Sequence, residues 1–120
     1  MLKKQITYTD YNGKSRTETY YFNLNKAEIT EMDFEYEGGI IKKLSNLAEH
    51  GTPKELLEFF KKLVSKSYGV KTEDGRRFLK SDELFTEFSQ TEAYSELFTE
   101  LLSSEESMSA FVNGIIPKVE

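Results

Sequence analysis

Two patterns of apolar and polar positions divide the chain. Up to Asn23 the residues favour extended structure; beyond it, apolar positions recur at helical spacing. Leu2 to Tyr11 and Ser15 to Asn23 are rich in Ile, Thr, Tyr and Phe, side chains that fit a pleated surface. Asn12-Gly13 lies between them, and this dipeptide supplies the positive φ angles of a two-residue hairpin turn. Such a turn predicts Ile6 opposite Thr19 and Tyr8 opposite Thr17, with Thr7–Glu18 and Thr9–Arg16 sharing the other face. A lone hairpin is marginal in water, so one face must cover helices or its edge must take a further strand.

The helical part is punctuated by caps. Asn25 with Glu28 forms a variant capping box before a short helix whose inward positions are Ala27, Ile29 and Met32. Gly38-Gly39 breaks it. Ile40, Ile41, Leu44, Leu47 and Ala48 then predict a helix closed at His50-Gly51. Thr52-Pro53-Lys54-Glu55 is a second capping box with proline at the first helical position. Leu56, Leu57, Phe60, Leu63 and Val64 form an apolar face to about Ser67. From Tyr68 to Lys80 the period is lost, and Glu73-Asp74-Gly75-Arg76 predicts a turn between short extended arms around Val70 and Phe78. Ser81 opens a helix with Leu84, Phe85 and Phe88. Thr91 opens another, with Tyr94, Leu97, Phe98, Leu101 and Leu102 on one side and Glu92, Glu96 and Glu100 on the other. Ser104 caps a last helix carrying Met108, Phe111 and Val112, which Asn113-Gly114 and Pro117 are expected to end.

These elements predict one α+β domain over residues 1–120: a β-hairpin (1–23), a helical segment (24–67), a turn or short hairpin (68–80) and an acidic helical segment (81–117). The hairpin packs on four to six short helices, and the C-terminal half is helical. Composition agrees. With 38% hydrophobic residues, nine Phe and seven Tyr, the core rests on large flat side chains, and a chain of 120 residues can bury enough surface without staples. There is no cysteine, which excludes disulfides, thiolate nucleophiles and zinc–thiolate sites. The N-terminus has two lysines with no apolar run behind them, unlike a signal peptide, and no stretch approaches the ~20 apolar residues of a spanning helix. An intracellular location fits.

Charge is unevenly spread. Lys54 to Lys80 carries eight Lys/Arg against four Asp/Glu, a balance of +4; Asp82 to Pro117 carries eight Asp/Glu and no Lys or Arg, a balance of −8. The acidic half would repel phosphates, which argues against wrapping a nucleic acid. A nucleic-acid-binding regulator using residues 61–80 nonetheless stands as the alternative: Lys61, Lys62, Lys66, Lys71, Arg76, Arg77 and Lys80 lie near Tyr68 and Phe78, and aromatics beside cations can stack bases. A charged solvent face accounts for the same residues more simply.

Catalytic chemistry finds little to work with. The single histidine, His50, stands at a predicted helix end, where a cation complements the dipole. A hydrolase would have to use it with a nearby carboxylate, and no serine occupies a glycine-flanked elbow. Asp82-Glu83 and Glu105-Glu106 fall in first helical turns, where negative charge is favoured. Glu73-Asp74-Gly75 lacks the alternating ligands of a calcium loop. No catalytic residue, metal site or cofactor is expected.

The run YGVKTEDGRRFLKSDELFTEFSQTEAYSELFTELL from Tyr68, followed by SAFVNGIIP to Pro117, and the earlier segment YYFNLNKAEITEM together resemble the tail assembly chaperones of long-tailed (siphovirus-type) bacteriophages and prophages. The pieces that carry the resemblance are Tyr68-Gly69, Asp74 to Phe78, Lys80-Ser81, Gln90 to Tyr94, and Phe111 to Pro117. It implies a non-enzymatic protein of the host cytoplasm, absent from the mature virion, which binds the tape measure protein and keeps it soluble until the tail tube forms around it. The major tail (tube) protein and a second copy of the chain are left open as further partners; no membrane is involved. Many such proteins also exist as a longer frameshifted product, and this chain would be the short form. A groove between amphipathic helices could hold an apolar-faced helix. The candidate partner-binding residues are Phe85, Phe88, Tyr94, Phe98, Phe111, Ile115 and Ile116.

Overall fold

In the computed structural model, which describes residues 1–117, the chain opens with strands β1 (Leu2–Thr9) and β2 (Ser15–Phe22). Helices α1 (Lys26–Glu35), α2 (Gly39–His50) and α3 (Pro53–Ser67) follow. A short hairpin, β3 (Tyr68–Lys71) and β4 (Phe78–Leu79), leads into α4 (Asp82–Ser89), α5 (Glu92–Leu101) and α6 (Glu105–Ile115). The four strands form one antiparallel sheet in the order β1-β2-β3-β4. The sheet closes across the insertion of three helices, because Tyr21 pairs with Gly69 and Phe22 with Tyr68. The architecture is α+β with a helical C-terminal half, as the residue pattern predicts. The first hairpin thus finds both outlets at once: a strand on the β2 edge and helices on one face.

Its register differs from the expected one by one residue. Ile6 lies opposite Glu18, Tyr8 opposite Arg16 and Thr7 opposite Thr17. The cause is Asp10. Its Oδ1 accepts the N–H groups of both Asn12 and Lys14 at 2.9 Å, and its carbonyl accepts the N–H of Gly13 at 2.9 Å. The turn therefore spans Tyr11-Asn12-Gly13, with only Gly13 at positive φ (+82°). This is the three-residue loop in which a type I turn is followed by a left-handed residue. A one-residue change moves whole sets of side chains between faces. Ile6 and Tyr8 consequently share the inner face with Tyr20 and Phe22, and Phe22 is fully buried.

The caps form where local chemistry places them. Asn25–Glu28 and Thr52–Glu55 are complete capping boxes, and Ser81, Thr91 and Ser104 each accept a backbone N–H three residues on. The predicted turn before Phe78 is also present: Gly75 N–H donates to the Thr72 carbonyl at 2.9 Å, and Asp74 Oδ1 accepts the N–H of Arg76 at 3.0 Å. The end of α6 departs from expectation. Asn113-Gly114 does not stop it, and the helix continues to Ile115. A Cβ on Gly114 would lie 2.8 Å from Leu2 Cδ1, so the glycine permits close approach of α6 to β1. Termination belongs to Pro117, which pushes Ile116 into extended backbone (ψ 139°).

The core lies between the inner face of the sheet and the helices. It is centred on Phe22, Leu24, Phe60, Leu63, Val64, Leu97, Leu101, Val112 and Ile115. Helical spacing overcounted it at its edges: Ala27, Ile41, Ala48, Leu57 and Leu102 are exposed, and Phe59 and Ala93 are buried instead. The buried hydroxyl of Ser67 donates to the Leu63 carbonyl at 2.6 Å. Lys80 Nζ donates to the Asn23 carbonyl (2.6 Å) and to both oxygens of Glu28 (2.7 Å). It thereby ties β4 to the capping box of α1.

Candidate partner-binding surface

The cap at Ser81 and the short loop to Thr91 set α4 and α5 so that Phe85, Phe88, Tyr94 and Phe98 form a continuous aromatic row. Phe88 is its hub. It stacks on Tyr68 (4.5 Å, interplanar 10°) and meets Tyr20 at 4.9 Å, Phe22 at 5.9 Å and Tyr94 at 5.6 Å. Phe22 extends the row inward to Phe111 at 5.5 Å. Tyr94 extends it outward to Phe85 at 5.9 Å and Phe98 at 4.7 Å, both edge to face. Such pairs add to the area they bury.

The seven candidate residues therefore separate. Phe88, Phe111 and Ile115 are core side chains with no more than 2% of their surface exposed, so in this fold they offer a partner nothing to touch. Phe85, Tyr94, Phe98 and Ile116 are partly exposed and pack against that core. Tyr94 and Phe98 line a shallow pocket of about 370 Å³ with Ser95, and α3 supplies its other wall through Leu57 and Lys61. Phe85 reaches it through Tyr94; Ile116, past the end of α6, does not line it. Helical spacing alone places Leu57 in the core arc and Lys61 on the basic face, and the fold brings them together as the α3 wall. Its signal was present: Leu57 sits at the edge of the apolar arc, next to a lysine.

The acidic stripe of α5 is partly committed to the fold. Glu100 pairs with Lys4 of β1 at 2.5 Å. Glu92 lies near the exposed Tyr11 hydroxyl and raises the tyrosine's pKa. Among the described residues, Glu100 is the carboxylate of this stripe that pairs with the hairpin. Burial raises the pKa of Tyr94 and of Tyr68, so both phenols stay neutral.

The basic segment is similarly divided. Lys62 pairs with Glu35 and lies 5.0 Å from the Tyr36 ring. Lys80 is held by Glu28 and sits 5.6 Å from the Phe78 ring. Tyr68 spends one face on Phe88. Lys61, Lys66, Lys71, Arg76 and Arg77 remain exposed. His50 ends α2, mostly exposed, with Glu49 at 3.6 Å. Among the described residues no three His, Asp or Glu side chains converge as a metal site, and no helix is long and apolar enough to cross a membrane.

An apolar pocket with an aromatic floor and a lysine at its rim can bind side chains of another protein. The chain matches no curated protein and no solved structure. The sequence model of one family, described as phage tail assembly chaperone, matches residues 1–119. That match takes in nearly every residue of the chain, from the hairpin to the end of the helical half, and the chain belongs to the phage tail assembly chaperone family.

Proposed function

We propose that the chain binds the tape measure protein in the host cytoplasm, keeps it soluble while the tail tube assembles, and leaves before the virion is complete. The observation that carries this reading is the family match over almost the whole chain. The outward end of the aromatic row supports it with a surface: Phe98, Tyr94 and Leu57 form an apolar seat for the apolar face of a helix. The role is one of binding and needs no catalytic group.

The test is co-expression of the tape measure protein with and without this chain, followed by measurement of the soluble fraction. The reading requires solubility to rise with the wild-type chain and to fall with a Leu57→Ser/Phe98→Ser double variant that remains folded. Equal solubility with and without the chain overturns it. Mass spectrometry of purified virions tests the last step, and this polypeptide should be missing from them.

A further inference from the structure

Helix α2 carries more apolar surface than the core uses. Ile40 and Leu47 face inward and are buried. Ile41, Leu44, Ser45 and Ala48, at i, i+3, i+4 and i+7, form a second stripe that lines a groove of about 320 Å³. The opposite wall is α6, where Ser109 is exposed at the rim and Met108 and Val112, at matching spacing, form a buried floor. Ile41 is 49% exposed. A β-branched residue left half in water beside a cleft gains by being covered.

The shape of the groove selects a helix. Both walls are helices with their backbone groups internally bonded, so an extended segment would find no free edge to pair with. Ser45, Ala48 and Ser109 are small, which lets a third helix approach and set its ridge between the two rows. The charge of the groove selects the flanks of that helix. Among the described residues its two ionisable lining groups are Glu49 and Glu105, with no Lys or Arg beside them. Glu49 stands in the last turn of α2, where the helix dipole disfavours a carboxylate. His50 stands 3.6 Å from one of its oxygens, and an incoming cation would pair with the acid more strongly than this exposed imidazole.

We propose that the α2–α6 groove is a docking site for an amphipathic helix of a protein partner, with lysine or arginine flanking its apolar face. The groove is lined by different residues from the α3–α5 pocket, and the proposal does not require the partner to be the tape measure protein. The apolar floor supplies affinity, and the two carboxylates supply selection against acidic helices.

A synthetic peptide of about 18 residues, long enough to hold a helix, tests this on the isolated chain. One version carries leucine at i, i+3, i+4 and i+7 with lysine on both flanks; the other has glutamate in place of lysine. Fluorescence anisotropy should show the lysine peptide binding, more weakly as salt rises, and the glutamate peptide failing to bind. Ile41→Gln should weaken binding about tenfold, and Glu49→Lys/Glu105→Lys should shift the preference to the glutamate peptide. All three positions are exposed, so Ile41→Gln should melt at the wild-type temperature, and the double lysine variant slightly below it, because Glu105→Lys removes a first-turn charge that the α6 dipole favours. Methyl resonances of Ile41, Met108 and Val112 should move during titration. No binding, equal binding of both peptides, indifference to the groove variants, or resonance shifts confined to other residues would each overturn the proposal. So would a wild-type dimer that the same variants make monomeric, since the occupant would then be a second copy. The tape measure solubility assay can fail without affecting any of these readouts.

Discussion

The two ends of the aromatic row use the same residue types for opposite purposes. At the inner end Phe88, Phe22 and Phe111 are enclosed on all sides and hold sheet to helices. At the outer end Tyr94 and Phe98 cover that core with one face and leave the other open beside Leu57 and Lys61. Being aromatic, or falling at i+3 and i+4 on a helix, does not separate the two. What separates them is whether a second element closes over the ring. Phe88 has β2 and β3 above it through Tyr20, Phe22 and Tyr68; Phe98 has a single aromatic neighbour within stacking distance, Tyr94.

Phe88→Ala should break the inner end outright. Removing a fully enclosed ring costs about 3–5 kcal/mol, read from urea unfolding, and chaperoning should fall in proportion to unfolding. Gly114→Val strikes the packing of α6 on β1, because the new side chain meets Leu2; overpacking of this kind costs about 1–3 kcal/mol. A loss from Gly114→Val that Leu2→Ala does not relieve would mean that the glycine has another role.

Acid should act on the same end through the sheet. The Tyr8 hydroxyl donates to Glu18 and lowers its pKa, and Glu18 also accepts from Tyr20, the ring that meets Phe88. Arg16 lowers Asp10, and Lys62 lowers Glu35. Folding lowers these carboxyls, so their contribution is complete above the unfolded values of about 4 and is lost as pH falls through the lower folded values. Thermal melts should therefore be level above about pH 5 and decline modestly below about pH 4, because these carboxyls are largely exposed. Glu18→Gln should flatten part of that drop.

At the outer end Phe98→Ser, which gives up one covered face and the pair with Tyr94, should cost about 1–2 kcal/mol, less than Phe88→Ala, while cutting the soluble yield of co-expressed tape measure protein. That contrast with Phe88→Ala is the sharpest statement of the comparison, and equal stability losses would erase it. Smallest of all, a double-mutant cycle of Lys4→Ala and Glu100→Ala should give a coupling below about 1 kcal/mol, because the pair is partly exposed. A larger value would give the acidic stripe a greater share in holding the hairpin than its exposure allows.

What the sequence determined by itself is local. The capping residues Asn25, Thr52, Ser81, Thr91 and Ser104 bond to groups three positions away, so helix starts are legible wherever such a side chain precedes an apolar period. The turn at Asp74-Gly75 and the α+β class are legible for the same reason. The tertiary structure decided matters that depend on what arrives from elsewhere in the chain. Asp10 drew two backbone N–H groups to itself and set the hairpin register. Leu2 needed Gly114 for contact, so the glycine did not end its helix. Ile40 met the core and its neighbour Ile41 did not. Of the candidate site, the aromatic row on α4 and α5 was visible in the spacing, but its division into enclosed and open rings was not. Periodicity places a side chain on a face of its own helix; burial depends on which distant element covers that face.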